Sequence, residues 1–216
     1  MYDLHTHTTM TDGEMIPVEL LRRMSVLGYR FVAITDHADS TNLSVLLAAL
    51  DRLAADADEM GLSLLRGVEL THVPPARIPM MATAAKKIGA DIVVVHGETT
   101  VEPVAPGTNH AACTCPDVDV LAHPGLITLA DAKSAAINGI ALEVTSRGGH
   151  NRTNGHVAMI AREAGCQIVI DSDAHSPSDL LDNRAKTMVA RGAGLTEDEA
   201  RRVLSLNIER WRSHKI

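Results

Sequence analysis

Short apolar runs rich in β-branched residues alternate along this chain with longer segments whose apolar positions recur every three or four residues, about seven times in all. That alternation predicts β-strands separated by α-helices, the pattern of a parallel sheet with helices outside it. The strand-like runs fall at 2–4, 31–35, 62–68, 91–95, 118–122, 140–144 and 167–170. Pro17, tolerated in a first helical turn, opens a segment in which Val18, Leu20, Leu21, Met24 and Ser25 keep a helical period up to Gly28. A second helix carries Leu43, Leu46, Leu47, Leu50, Leu53 and Ala54 and stops near Gly61, and a third covers 76–88 before Gly89. Thr128 with Asp131, Ser176 with Pro177 and Asp179, and Thr196 with Glu199 mark further helix starts. The last predicts a closing helix over about 196–211. The long irregular stretch is 98–114, with Pro103, Pro106 and Gly107, and a loop of that length in a compact domain is usually functional or lid-like.

Composition narrows the picture. A chain of 216 residues with 45% hydrophobic content supports one substantial core, hence a single domain over 1–216. Aromatic residues make up 2%, so the core is built from Ala, Val, Leu, Ile and Met. The same scarcity argues against recognition of single-stranded nucleic acid by base stacking, and a net charge of −7 argues against long nucleic acids as partners. No early stretch joins a basic start to an apolar run, and no apolar segment is long enough to span a bilayer, so a cytoplasmic protein with no membrane partner is expected. Cys166 reads as core. Cys113 and Cys115 lack the second ligand pair a structural zinc would need, so they read as ordinary thiols.

The chemistry collects at the ends of the apolar runs. The first stops on His5 with His7 close behind, the second on Asp36-His37, the third on Glu69, the fourth on His96, the fifth on His123, and the seventh on Asp171-Ser172-Asp173-Ala174-His175. In a closed parallel barrel all strand C-termini face one mouth, so these side chains would converge there. Histidine and carboxylate without cysteine suit Zn²⁺, Mn²⁺ or Fe. His5, His7, Asp12, His37, Glu69, His96, His123, Asp173 and His175 offer too many donors for one ion and enough for two or three, with Glu69 as the central bridge. Glu69, Asp173 and His175 are the expected catalytic members of the set. Just past the sixth run, Arg147 is placed for a bidentate phosphate contact, and Glu98 and Glu143 could orient ligand imidazoles. His110 and His150 lie in loops at the mouth end within reach of a substrate, while His72, His156 and His214 fall outside this pattern.

The blocks Asp3-Leu4-His5-Thr6-His7 with Asp12-Gly13, Ile34-Thr35-Asp36-His37, Gly67-Val68-Glu69, Val95-His96-Gly97-Glu98, Leu121-Ala122-His123-Pro124-Gly125 and Asp171-Ser172-Asp173-Ala174-His175 resemble, in order, the motifs of the PHP (polymerase and histidinol phosphatase) superfamily. The resemblance runs to about Arg184. It implies a distorted (β/α)7 TIM-like barrel and a three-metal site. By position, one ion would take His5, His7, Glu69 and Asp173, a second Glu69, His96 and His123, and a third Asp12, His37 and His175. Some relatives have histidine at the Asp12 position, which implies a looser third ion or a different metal here. The implied activity is hydrolysis of a small phosphomonoester, histidinol phosphate first, by a hydroxide bridging two metals. A phosphodiesterase or exonuclease acting on nucleotides or short oligonucleotides is the alternative. A metal-free structural module, as in relatives that include a ribonuclease P protein subunit, is the third.

Overall fold

The computed structural model describes residues 1–211, so His214 lies outside the described residues. Seven strands form one continuous parallel sheet: β1 (Tyr2–Asp3), β2 (Phe31–Ile34), β4 (Ser63–Leu70), β5 (Ile92–His96), β6 (Val120–Ala122), β7 (Ala141–Thr145) and β8 (Ile168–Asp171), paired in that order. The predicted runs thus all become strands. An additional two-residue strand, β3 (His37–Ala38), pairs with β4 beyond the end of β2, with His37 opposite Glu69. Helices α1 (Pro17–Val26), α2 (Leu43–Glu59), α3 (Ile78–Lys87), α4 (Thr108–Cys113), α5 (Leu129–Asn138), α6 (Asn154–Ala164), α7 (Asn183–Gly192) and α8 (Glu197–Leu204) lie between and after the strands. The result is a single-domain, TIM-like (β/α)7 barrel.

The sheet closes differently at its last seam. Between β1 and β8 the backbone meets only just past the strand ends, where Asp173 N donates to His5 O (3.0 Å), His7 N donates to Ala174 O (2.9 Å), and Thr6 and Ala174 form a parallel bridge. Lower down, side chains replace carbonyls as acceptors. Asp171 Oδ1 takes the N–H of Leu4 (2.8 Å) and Asp3 Oδ1 takes that of Ser172 (3.1 Å). These two buried carboxylates are the distortion of the barrel written at the level of atoms.

Three departures from the sequence expectations have local causes. The start at Ser176 caps only a 3₁₀ turn, Pro177–Asp179, because Leu180 is extended; α7 begins later, where the Asp182 side chain accepts the Ala185 N–H. The closing helix over 196–211 ends at Leu204 and resumes as a 3₁₀ turn at Ile208–Trp211. Ser205 turns its hydroxyl back to Arg201 O and Asn207 takes the Glu209 N–H, both competing with helix continuation. The break lets Ile208 and Trp211 cover the barrel interior beside Tyr2, Leu65 and Ile92. Finally, the stretch 98–114 contains α4. Glu98 Oε1 accepts from Gly107 N and Asn109 N (2.9 Å each), while Asn109 holds Glu98 N and Pro124 O.

Those bonds also bring the β5 and β6 exits together. Gly125 sits at φ 61° against the Glu98 carbonyl, where any β-carbon would collide with backbone. Cys113, Cys115 and Cys166 are buried free thiols, and burial pushes Cys166 up to about 11. Among the described residues no helix is long and apolar enough to cross a membrane.

Candidate metal centre

The nine predicted donors meet at the C-terminal mouth. His5 and His7 follow β1 and are fully buried, forming the floor. Glu69 rises from β4, His37 from β3, His96 from the last residue of β5 and His123 from just beyond β6; Asp173 and His175 follow β8. Asp12, on the loop after β1, leans in from the half-exposed side. Above the floor lies a cavity of about 280 Å³, lined by the other donors together with Thr71, His72, Glu102, Arg147 and His150.

The two nitrogens of each ring behave differently. Among the described residues, every imidazole–carboxylate contact of 2.8 Å or less uses Nδ1: His5 to Glu143 Oε1 (2.7 Å), His37 to Glu69 Oε2 (2.7 Å) and His110 to Asp131 (2.8 Å). Those are charge-assisted hydrogen-bond lengths. At the mouth the Nε2 atoms stand farther off. His5 Nε2 is 3.4 Å from Glu69 Oε1, His7 Nε2 is 3.3 Å from Asp173 Oδ1, and His37 and His175 Nε2 are each 3.3 Å from Asp12 Oδ2. His123 Nε2 is 3.7 Å from Glu69 Oε1 and 3.6 Å from Asp173 Oδ2. Donors bound to one tetrahedral ion at about 2.0–2.1 Å lie about 3.3 Å apart. Apart from the 3.0 Å contact between His5 Nε2 and His7 Nε2 and the bond from His37 Nδ1 to Glu69, the spacing matches that of atoms arranged around a cation.

The supporting contacts fit the same pattern. Ligand histidines commonly give their other ring nitrogen to a carboxylate or carbonyl, which fixes ring and tautomer. Besides His5 on Glu143, His96 Nδ1 meets Gly97 O (3.1 Å) and His175 Nδ1 meets Asp173 O (3.0 Å). Glu143 Oε2 also accepts the backbone N–H of His123 (2.9 Å), so one buried carboxylate positions two donors. Glu69 Oε1 and the Nδ1 atoms of His7 and His123 are buried without hydrogen-bond partners. Polar atoms left so in a protein interior are costly unless something else completes them. The backbone repeats the point: His72, His123 and Asp173 are the only non-glycine positions at positive φ among the described residues (54°, 28° and 51°). Such strain clusters at functional sites.

From the protein's own charges alone, burial would depress the His5 imidazole, but Glu143, Asp173 and Glu69 outweigh it and hold it well above its ordinary value. Burial would raise Glu69, yet His5 and His37 pull it well below the usual carboxylate range. Asp173 is likewise lowered against its burial, by His5 and His7 among others. The imidazole of His5 and the carboxylates of Glu69 and Asp173 thus favour one another's charged forms.

The groupings differ in detail from those the resemblance implies. Donor atoms within 4.8 Å of one another form four sets: His5, His7 and Glu69; His5, His123 and Asp173; His7, Asp12, His37 and His175; and His96, His123 and His150. His7 joins the Asp12 set, and His96 gathers with His150 rather than with Glu69. Arg147 lines the cavity with Nη1 3.3 Å from Asp179 Oδ2, and that carboxylate also accepts the His175 N–H (3.0 Å). Glu98 touches no imidazole; its carboxylate holds the start of α4. His110 pairs with Asp131 of α5, and His156 bonds Ile127 O (2.8 Å).

The cavity is also lined by Glu102 and His72, which lie outside the sequence pattern, beside His150. The signal for His150 was the sixth run, which ends on no donor; the missing imidazole arrives one turn later, after Gly148 and Gly149.

The barrel superposes on histidinol phosphate phosphatase from Lactococcus lactis subsp. lactis, solved with zinc, L-histidinol and phosphate, with a TM-score of 0.59 over 90% of this chain and 94% of that one, at 14% identity. In sequence, the chain is 50% identical over 207 residues to an uncharacterized protein of Methanocaldococcus jannaschii, covering 94% of each. It is 29% identical over 220 residues to ribonuclease P protein component 3 of Methanosarcina mazei, covering 94% of this chain and 85% of that protein. The PHP domain model matches residues 3–176, a span that holds every donor described above, and the chain belongs to the PHP domain family.

Proposed function

We propose that the chain is a metal-dependent phosphoesterase that hydrolyses a small phosphomonoester, with histidinol phosphate the first substrate to test. The observation that carries this reading is the cation-sized spacing between Nε2 and carboxylate atoms at the mouth of a PHP-family barrel. The ions would be held by His5, His7, Asp12, His37, Glu69, His96, His123, Asp173 and His175, and they would supply an acidified water as nucleophile and charge to offset the phosphoryl oxygens. Zn²⁺, Mn²⁺ and Fe²⁺ all suit this donor set.

The chain's own side chains do the rest. Glu143 fixes His5 by its ring nitrogen and His123 by its backbone. Arg147, tethered at the lip by Asp179, presents its guanidinium to a phosphate entering the cavity. A volume of about 280 Å³ and a net charge of −7 favour a small phosphorylated molecule over a polynucleotide. The likeness to ribonuclease P protein component 3 supports a second reading, a structural role beside RNA. That reading leaves the donor spacing and the unpartnered buried atoms without a purpose.

Protein purified without chelator is expected to carry at least two equivalents of divalent transition metal per chain by elemental analysis. A metal-free preparation would overturn the proposal. A panel of histidinol phosphate, sugar phosphates, nucleotides and short oligonucleotides, assayed with each metal, is expected to give the highest kcat/KM on a small phosphomonoester; a preference for oligonucleotide ends would favour an exonuclease. Arg147→Ala is expected to raise KM roughly 10- to 100-fold, the weight of one hydrogen-bonded charged contact, with a smaller change in kcat. Unchanged kinetics would remove Arg147 from the phosphate site.

A further inference from the structure

The donor set His7, Asp12, His37 and His175 is drawn from three different exits of the barrel, and Asp12 stands on a turn with 54% of its side chain exposed. A fifth residue, which does not line the cavity, holds the set together. Asp36, between β2 and β3, is 1% exposed. Its Oδ1 accepts the Thr8 N–H (2.8 Å) and the Thr11 hydroxyl (2.6 Å), and its Oδ2 accepts the Thr8 hydroxyl (2.7 Å). Both hydroxyl contacts have the short length of bonds to an ionised acceptor. Thr8 follows His7, Thr11 precedes Asp12, and Asp36 itself precedes His37. One buried carboxylate thus ties the chain beside three of the four donors.

The other bonds of the turn act within it or toward β8. Thr11 N and Gly13 N both donate to Thr8 O, and Met10 N donates to the Thr8 hydroxyl, so the turn closes on itself. Gly13 packs so tightly that a β-carbon there would lie 2.7 Å from the His7 and Thr8 backbone. Glu14 N donates to His175 O (2.6 Å) and reaches the fourth donor from the other side. The side-chain tie from the turn to the exit of β2 is Asp36. Glu143 supports His5 and His123 by touching them directly, whereas Asp36 works one residue away, through Thr8 and Thr11.

We propose that Asp36 is the positioning residue for the ion of the His7, Asp12, His37 and His175 set: it ligates nothing, and through Thr8 and Thr11 it holds Asp12 Oδ2 at 3.3 Å from His37 Nε2. The proposal rests on the reading of the mouth as a metal centre, and the test separates the two. Full-length protein is stripped of metal and titrated with Co²⁺ by equilibrium dialysis, with bound cobalt counted by elemental analysis and followed by its visible absorption. Asp12→Ala, at an exposed position, marks the equivalent that belongs to this set. Asp36→Ala is expected to weaken that equivalent roughly 10- to 100-fold, the usual loss when a residue supporting a ligand is removed, and to leave the others as in wild type. Asp36→Asn, which keeps one accepting oxygen, is expected to fall between the two. Thr11→Val, which keeps its shape at a partly buried position, is expected to weaken the same equivalent by a smaller factor. Adding Asp36→Ala to Asp12→Ala is expected to change cobalt binding no further, because the ligand it positions is already gone. Equal weakening of every equivalent in Asp36→Ala would show a general scaffold role and overturn the proposal. Wild-type affinity for every ion in Thr11→Val would overturn it whether or not Asp36→Ala folds. No cobalt bound by wild type would overturn the metal-centre reading together with it.

Discussion

Glu69→Gln is expected to abolish hydrolysis of a generic aryl phosphate, by ~10³-fold or more, while leaving the barrel folded. The magnitude follows from several kcal/mol of charge stabilisation by bound ions, at about 1.4 kcal/mol per tenfold in rate. Glu69 is fully buried at the centre of the donors, with its two oxygens facing His5, His7, His37 and His123. Glutamine keeps the shape and one acceptor, so the packing of β4 between its neighbours is preserved. What it cannot do is present two anionic oxygens to different ions. The variant is checked by turnover, by bound metal, and by circular dichroism for the fold. Turnover like that of wild type would contradict a bridging role.

The strands and the candidate donor positions could be read from the chain because both are local in sequence. Each run is a largely buried parallel strand, and all but the sixth end on a change to His, Asp or Glu at a position the barrel aims at the mouth. The elements that were not legible depend on contacts distant in sequence. Nothing near 108–113 announces α4; its start is set by Glu98, ten residues earlier, and by Pro124 beyond β6. The break at Ser205 and Asn207 is favoured because Ile208 and Trp211 find the barrel floor. Glu102 lies in an irregular stretch of sequence, and only the fold sets it against His72, His96 and His150. Candidate donor types and the positions of the strands were visible in the sequence, whereas which imidazoles share a carboxylate was not.

The second large effect is expected far from any substrate. Lys186→Met should destabilise the fold by about 3–5 kcal/mol, the usual loss when one partner is removed from a buried ionic group. Lys186, on α7, is 1% exposed. Its ammonium contacts the carbonyl of Tyr2, stands 3.5 Å from Asp3 Oδ2 and lies over the rings of Tyr2 and Tyr29 at 4.6 and 5.3 Å. It is the cation set against Asp3 and Asp171, the two carboxylates that close the β1–β8 seam. Burial raises the Asp171 carboxyl well above its ordinary range and the charge of Asp3 adds to this, while Lys186 works the other way. Removing the lysine leaves the two acids facing each other in a dry interior. Asp3→Asn should therefore restore part of the loss in the double variant, because an amide oxygen still accepts the Ser172 N–H without the charge. Denaturant unfolding of the two single variants and the double variant gives the coupling directly. A Lys186→Met protein within about 1 kcal/mol of wild type would show that the seam does not depend on this ion pair. The seam matters to the chemistry because the backbone bond that continues it, Asp173 N to His5 O, joins two of the proposed metal ligands. A loosened seam should accordingly weaken metal retention in Lys186→Met before it unfolds the barrel.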